Sequence, residues 1–295
     1  MPRCFSAVFA MAAALALAAA PAAAAPDAKL LAAATAAQPA VIESLKEMVA
    51  IESGTADLAG LGKLATLIEN RLKALGFKTE RRPATVRPGG DIVIGTLSGS
   101  GTKKIMLQAH MDTVYEPGIL QTQPYKLDGN KLYGPGIADD KGGIAVILQA
   151  LKILADAGWK DYAMLTVLVN ADEETGSANS AGIIAALADQ HDVVLSCEPT
   201  GAKAVAGVEA LLLGTAGIAA VTMETKGRAA HAGAAPDQGR NAILELSHQM
   251  LQTRDLPKDT PGATLNWTNV ISDKATNQIP ELAVARGEAR PVRRS

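Results

Sequence analysis

The sequence predicts an α/β protein: a mostly parallel sheet with helices on both faces, followed by a smaller α+β unit. Between residues 91 and 198, short apolar runs alternate with helical patterns, which is the order of strand–helix–strand units in a parallel sheet. Beyond about residue 210 the pattern changes to alternating strands around one helix, which is typical of an open-faced sandwich. The chain has 295 residues, of which 48% are hydrophobic, and this is enough for two cores.

Residues 1–25 read as a secretory signal. Arg3 precedes an alanine- and leucine-rich run at 5–20, and residues 21–25 offer A-x-A-like cleavage sites. An uncleaved membrane anchor is disfavoured because the run is short and alanine is only weakly apolar. We therefore expect export to the periplasm or the medium, with no membrane attachment after cleavage. Cys197 is then the only cysteine of the mature chain, which excludes an intramolecular disulfide.

The order of the elements follows from periodicity. Spacing of apolar residues predicts helices at 40–51, 64–77, 142–158 and from 177, and Gly76 has the position of a helix C-terminal cap. Unbroken apolar runs predict strands that start at 91, 103, 163 and 192. The second unit is predicted to contain strands at 216–227, 263–271 and 281–290 and a helix at 241–252. We expect domains at 26–209 and 210–295.

The overall charge argues for small-molecule partners. The chain has 28 basic and 30 acidic residues, and no block of like charge suggests a nucleic-acid surface.

Acids and one histidine follow the predicted strands, at the edge of a parallel sheet where sites form. They are His110 and Asp112; Asp139 and Asp140; Asp172, Glu173 and Glu174; and Glu198. Taken singly, such acids are more often helix caps or turn residues, and a lone histidine is more often a packed or surface residue. Taken together, like charges at one edge would need a cation. Mixed imidazole and carboxylate ligands suit zinc, or failing that manganese or cobalt, better than calcium.

The spacing within two of these motifs suggests a division of roles. Side chains two residues apart on a strand share a face, so Asp112 can accept the second ring N–H of His110. Of the adjacent Glu173 and Glu174, one can bind a metal while the other takes a proton from water.

Six stretches together resemble a known family of dizinc metallopeptidases, typified by glutamate carboxypeptidase and including aminoacylases and succinyl-diaminopimelate desuccinylase. The stretches are AHMDTV, LYGPGIADDKGG, NADEETGS, SCEPTG, GRAAHAGAAPDQGRNAI and NQIP, in family order. The resemblance as a whole runs from about residue 45 to the end of the chain. The resemblance implies two Zn²⁺ per subunit: His110 and Glu198 on one ion, Glu174 on the other, and Asp139 bridging both. It also implies a cis peptide bond between Asp139 and Asp140.

The same resemblance assigns the remaining roles. It makes Glu173 the general base and Asp112 the carboxylate that orients the zinc-binding histidine. His231 and Asn277 would contact the substrate, and His231 would reach from the dimerisation domain into the active site of the second subunit of a homodimer.

We therefore expect an exported zinc hydrolase that cleaves an amide bond next to a C-terminal amino acid, such as glutamate, in a peptide or N-acyl amino acid. An aminoacylase or deacylase is the alternative within the family, and an inactive metal-binding remnant is the alternative outside catalysis. A nucleotide site in the loop GPGIADDKGG is disfavoured because its acids would repel phosphate. The family pattern continues past Ser295 and there supplies a second-zinc histidine, so we expect an impaired second site and weak or no activity.

Overall fold

The structure, a computed structural model, describes residues 27–200, 212, 217–260, 262–272 and 274–290. The chain divides into two compact units, with the division between Pro199 and Thr200. The predicted signal at 1–25 and the predicted domain boundary at 209/210 lie outside the described residues. Within the described ranges, no helix is both long enough and apolar enough to cross a bilayer.

The first unit contains five described helices and seven strands. The helices are α1 (Ala28–Ala36), α2 (Gln38–Val49), α3 (Leu58–Ala74), α4 (Lys141–Asp156) and α5 (Ala181–Ala188). The strands are β1 (Lys78–Arg82), β2 (Ile92–Ser98), β3 (Lys104–His110), β4 (Lys126–Asp128), β5 (Lys131–Tyr133), β6 (Met164–Asn170) and β7 (Val193–Ser196).

Five of these strands form one sheet in the order β1-β2-β6-β3-β7, and β4 and β5 form a separate hairpin. Strand β3 runs parallel to β6 and to β7, whereas β2 runs antiparallel to β6 and to β1. Strands β1, β3, β6 and β7 therefore point in one direction and only β2 opposes them. The predicted α/β fold with a mostly parallel sheet is confirmed.

Helices α2, α3 and α4 cover one face of this sheet. Their buried side chains, among them Met48, Ile68 and Ile144, form one cluster with Val93 and Val167 of the strands. Each fully buried aliphatic side chain of this kind contributes about 1.5–3 kcal/mol through the hydrophobic effect.

Helix α5 covers part of the opposite face. Ile184 packs there against the buried side chains of Ile94, Met106 and Leu168. Apolar residues thus point to both sides of the sheet, which explains why its strands read as unbroken apolar runs.

Helix boundaries follow capping chemistry. Asp57 begins α3 by accepting a hydrogen bond from Gly60 N at 2.9 Å, and Asp140 begins α4 in the same way, accepting from Gly143 N at 3.1 Å. Gly76, at φ +88°, follows the last turn of α3, which confirms the predicted C-terminal cap.

The sequence did not predict α1, β1 or the hairpin. Helix α1 buries none of its residues, so no apolar stripe marks it. Strand β1 has the sequence KTERR and is held by pairing with β2 and by an ion pair of Arg81 with Glu69, with 2.9 Å between Nε and Oε2. Pairing with the next strand and an ion pair, rather than local hydrophobicity, stabilise that strand.

In its described residues, the second unit has a three-stranded antiparallel sheet with one α-helix. Its elements are β8 (Ala219–Lys226), β9 (Ala230–His231), α6 (Ala242–Thr253), β10 (Thr264–Ile271), β11 (Gln278–Ile279) and β12 (Leu282–Arg290). The sheet order is β10-β12-β8, and β9 and β11 form a separate two-stranded ribbon. Helix α6 buries Leu246 against Ala283 and Ala285 of β12. This matches the predicted smaller α+β unit.

We expect Ile68→Ala to lower the free energy of unfolding by about 2–5 kcal/mol, because it leaves a cavity between α3 and the sheet. Ile68 is 0% exposed, whereas Leu58 at the start of the same helix is 45% exposed. Urea unfolding of Ile68→Ala and the control Leu58→Ala measures the difference. Equal losses in the two variants would contradict this assignment of the core.

Candidate metal centre

The carboxyl ends of three neighbouring strands carry the predicted site residues. Strand β3 ends at His110, which lies opposite Asn170, the last residue of β6. Strand β7, on the other side of β3, ends at Ser196, two residues before Glu198. Helix α4 begins directly after Asp140. Parallel pairing therefore brings motifs that are far apart in sequence to one edge.

The ring of His110 is 1% exposed and both of its nitrogens face oxygen atoms. Nδ1 lies 3.1 Å from the backbone oxygen of Asp112 and 3.3 Å from Oδ1 of the same residue, so it carries a hydrogen. Nε2 lies 2.8 Å from Oδ1 of Asp139 and 3.6 Å from Oε2 of Glu198. A nitrogen that faces two carboxylates needs a proton or a cation between them.

Without a cation, this crowding shifts the pKa values of the cluster. Burial lowers the pKa of His110, but hydrogen bonds and charges from Asp112 and Glu198 outweigh it and raise that pKa to about 11. Burial, assisted by the negative charge of Asp139, raises the pKa of Glu174 to about 7. Burial also raises the pKa of Glu173. A divalent cation would replace the protons that the cluster otherwise holds.

Two groups of side chains could each hold a metal ion. They are His110, Asp139 and Glu174, and His110, Asp140 and Glu198; within each group the ligand atoms lie within 4.8 Å of one another. The structure thus brings the other three predicted ligands, Asp139, Glu174 and Glu198, around the imidazole of His110. One nitrogen with several carboxylate oxygens is a donor set that fits zinc and similar transition metals.

Asp140 differs from Asp139 although both lie near His110. Asp140 is 0% exposed, and its two oxygens accept hydrogen bonds from His110 N at 3.2 Å and Gly143 N at 3.1 Å. The Asp139 side chain is 55% exposed, and its Oδ1 faces the imidazole. Asp139 remains the predicted ligand of the pair. The peptide bond between them is cis, which confirms the geometry that the resemblance implied.

The Asp112 carboxylate is 0% exposed and contacts other groups besides the His110 ring. Its Oδ1 accepts a hydrogen bond from Glu173 N at 3.2 Å. Its Oδ2 accepts from Glu174 N at 3.2 Å and from Thr55 Oγ1 at 2.9 Å. Asp112 therefore orients His110 and also the backbone of the adjacent glutamates.

Sequence reasoning missed two buried polar residues at this edge, Thr55 and Lys141. Lys141 is 0% exposed, and its Nζ donates to the backbone oxygens of Ile51 at 2.9 Å and Pro135 at 3.4 Å. Burial lowers its pKa to about 8, against the charge of Glu52. A lysine in the first turn of an apolar helix was the signal that could have marked it.

The second unit brings the two predicted substrate residues together. Strand β9 pairs with β11 so that His231 lies opposite Gln278, and Ala232 N donates to the backbone oxygen of Asn277 at 2.8 Å. Nδ1 of His231 accepts from Gly233 N at 3.2 Å and Ala234 N at 3.1 Å. In the neutral ring the hydrogen is therefore on Nε2.

Comparison with known proteins confirms the predicted resemblance to metallopeptidases. Residues 106–284 match the peptidase family M20/M25/M40, and the chain belongs to this family.

Two curated relatives illustrate the range of this family. Carboxypeptidase G2 of Pseudomonas sp. (strain RS-16) is 45% identical over 267 residues, which cover 90% of this chain and 63% of that protein. Acetylornithine deacetylase of Proteus mirabilis (strain HI4320) is 29% identical over 86% of this chain and 67% of that protein. The chain thus spans less than two thirds of the length of the carboxypeptidase.

Solved structures share the fold. An M20 family metallo-carboxypeptidase from Sulfolobus solfataricus superposes with a TM-score of 0.68 at 18% identity, covering 86% of this chain and 72% of that one. A tripeptidase from Staphylococcus aureus superposes with a TM-score of 0.63 at 22% identity, covering 85% of this chain and 65% of that one.

The raised pKa of Glu174 predicts a pH-dependent stability of the metal-free protein. Because the folded pKa is about 7 and the ordinary value is 4.5, the folded chain keeps a proton that the unfolded chain releases. The contribution of this group to the free energy of unfolding is therefore greatest below about pH 4.5 and falls as the pH rises through 7. Glu174→Gln removes this loss, so the variant should gain stability relative to the wild type as the pH rises.

Urea unfolding in the presence of a chelator, at several pH values across this window, measures that difference, with the exposed Glu116→Gln as the control. A difference between Glu174→Gln and the wild type that does not change with pH would contradict the prediction.

Proposed function

We propose that this protein is a zinc-dependent hydrolase that cleaves the amide bond next to a C-terminal amino acid such as glutamate. The observation that carries the proposal is the buried imidazole of His110 facing carboxylates, with Glu173 beside them, at the carboxyl ends of parallel strands. Membership of the peptidase family and the 45% identity to carboxypeptidase G2 support the reaction class.

We assign four residues as metal ligands. His110 and Glu198 would bind one zinc ion, Glu174 the other, and Asp139 both. The metal, when bound, would polarise the scissile carbonyl and make a water molecule more acidic. The second ion has only Asp139 and Glu174 as proposed ligands, so its affinity should be the lower of the two.

Glu173 is the proposed general base. It takes a proton from the attacking water and delivers it to the departing amine. Two features of the structure suit this role. Its backbone N–H is held by Asp112, and burial raises its pKa toward the range where a carboxylate exchanges protons efficiently.

His231 and Asn277 are proposed to contact the substrate. With Nδ1 occupied by two backbone N–H groups, His231 offers Nε2–H as a donor for the carbonyl oxygen on which negative charge develops. The proposed arrangement supplies this histidine from a second copy of the chain.

A homodimer through the second unit is part of the proposal. On α6, Leu244 and Leu251 are 68% and 61% exposed, and their seven-residue spacing puts them on one face of the helix. Among the described residues, β10 is paired with β12 on one side only, and Val270 in it is 50% exposed. Two copies could bury these apolar side chains. We also propose export, directed by residues 1–25.

A deacylase is the second candidate function. It is favoured by the identity of 29% and 30% to acetylornithine deacetylases of Proteus mirabilis and Salmonella arizonae. Substrate profiling distinguishes the two, because a carboxypeptidase prefers N-acyl glutamates or peptides whereas this deacylase class would prefer N-acetylornithine. A metal-binding remnant would hydrolyse neither.

The wild-type rate is expected to be low, because only two ligands are proposed for the second metal ion. We expect Glu173→Gln to lower kcat for N-acyl glutamates by a further factor of about 10²–10⁴, because it removes the proton acceptor. Its zinc content, measured by elemental analysis, should equal that of the wild type, since Glu173 is not a proposed ligand. The exposed Glu116→Gln is the matched control. Full activity of Glu173→Gln would refute the assignment of the base, and a wild type that neither binds zinc nor hydrolyses either substrate class would refute the proposed function.

For the dimer, we expect the double variant Leu244→Glu, Leu251→Glu to be monomeric where the wild type is dimeric, because it places charges in the proposed contact. Light scattering coupled to size-exclusion chromatography measures the mass. Leu127→Glu, at a position 53% exposed in the first unit, is the control and should remain dimeric. A monomeric wild type would contradict the dimer.

A further inference from the structure

A short segment, 51–55, contacts the parts of the first unit that carry the metal-centre residues. Thr113 N donates to Ser53 O at 2.9 Å, and Thr55 N donates to Thr113 O at 3.1 Å, so the segment continues alongside the chain that leaves β3. A Cβ on Gly54 would lie 2.0 Å from Tyr115 O, which shows how closely the two backbones approach.

The same segment also reaches other loops of the site. The carboxylate of Glu52 accepts hydrogen bonds from Gly118 N at 2.7 Å and Leu120 N at 3.0 Å. The backbone oxygen of Ile51 accepts from Lys141 Nζ, in the turn that follows Asp140. The segment thus connects the His-x-Asp motif, the loop after it and the start of α4.

Thr55 supplies the side-chain contact of this segment with Asp112. It is 7% exposed, and its Oγ1 lies 2.9 Å from Oδ2 of Asp112 but 3.5 Å from Thr113 O. A hydroxyl has one proton, so the shorter contact to the carboxylate is the hydrogen bond that Thr55 donates.

This hydrogen bond completes the set of donors around Asp112. Oδ1 accepts from Glu173 N and lies 3.3 Å from His110 Nδ1, and Oδ2 accepts from Glu174 N and the threonine hydroxyl. The shorter contact of His110 Nδ1 is to the backbone oxygen of Asp112, at 3.1 Å. Without the hydroxyl, Oδ2 keeps a single donor and the carboxylate is less restrained in rotation. Such a rotation would displace the oxygen that lies beside the His110 ring and accepts from Glu173 N.

We propose that Thr55 is a positioning residue of the metal centre, acting through Asp112 on His110 and on the adjacent glutamates. The inference rests on the proposed function, since it requires that His110 bind a metal. Residues that support metal ligands typically change metal affinity by about 10–100-fold when they are replaced. Thr55 acts one residue further from the metal, so we expect the lower end of that range.

The test compares Thr55→Val, which keeps the shape and loses the hydroxyl, with Thr55→Ser, which keeps the hydroxyl. Thr166→Val is the matched control. Thr166 is 0% exposed on β6, and its Oγ1 lies 2.8 Å from Nε2 of His191, so the control also loses a buried hydroxyl but not one bound to Asp112. Zn²⁺ affinity is measured by competition with a chromophoric chelator, the visible absorption of bound Co²⁺ reports the ligand geometry, and urea unfolding of the metal-free protein reports stability.

We expect Thr55→Val to bind Zn²⁺ about 10-fold more weakly, with an altered Co²⁺ spectrum. Thr55→Ser should restore both, and Thr166→Val should match the wild type in both even where it is less stable. Three results would overturn the inference while the proposed function stands. They are a Zn²⁺ affinity of Thr55→Val equal to that of the wild type, an equal loss of Zn²⁺ affinity in Thr166→Val, and a Zn²⁺ affinity of Thr55→Ser as low as that of Thr55→Val. A wild type that binds no Zn²⁺ would overturn both.

Discussion

The candidate site depends on the buried carboxylate of Asp112. It has no exposure to solvent, so the cost of burying its negative charge must be offset by its neighbours. Its oxygens accept hydrogen bonds from the backbone N–H groups of Glu173 and Glu174 and from the hydroxyl of Thr55, and the His110 ring lies 3.3 Å from Oδ1. Removing the partners of a buried charge is strongly destabilising, so this one carboxylate links the His110 ring to the backbone of both glutamates.

The sheet topology then concentrates charge at one edge. Strands β3, β6 and β7 are parallel neighbours, and the residues that follow them are mainly acidic. In the metal-free state, burial and repulsion from Asp139 raise the pKa of Glu174, and Asp112 and Glu198 raise the pKa of His110. The arrangement is electrostatically unfavourable by itself and favourable around a cation. This is the physical reason to interpret it as a metal centre rather than as a set of helix caps.

Local patterns in the sequence predicted most of the fold and most of the residues that meet at the candidate metal centre. Apolar runs marked the main strands, and His110 and Glu198 could be placed at one edge because parallel strands end together. The contacts of Thr55 and Lys141 could not be predicted, because their partners lie 57 and 90 residues away. The position of Lys141 in the first turn of an apolar helix could have marked the residue but not its partner. Strand β1 was missed for another reason: its charged sequence has no apolar pattern and forms a strand through pairing with β2.

In their neutral forms, the two histidines with proposed roles are opposite tautomers, and each tautomer suits its proposed task. In His110, Nδ1 donates to oxygen atoms of Asp112, which leaves the Nε2 lone pair for a cation among the carboxylates. In His231, Nδ1 accepts from two backbone N–H groups, which leaves Nε2 as a hydrogen-bond donor. A donor is what a carbonyl oxygen needs as it gains negative charge, and a lone pair is what a metal ion needs. The hydrogen bonds at Nδ1 thus explain chemically how one residue type can serve as ligand in one unit and as donor in the other.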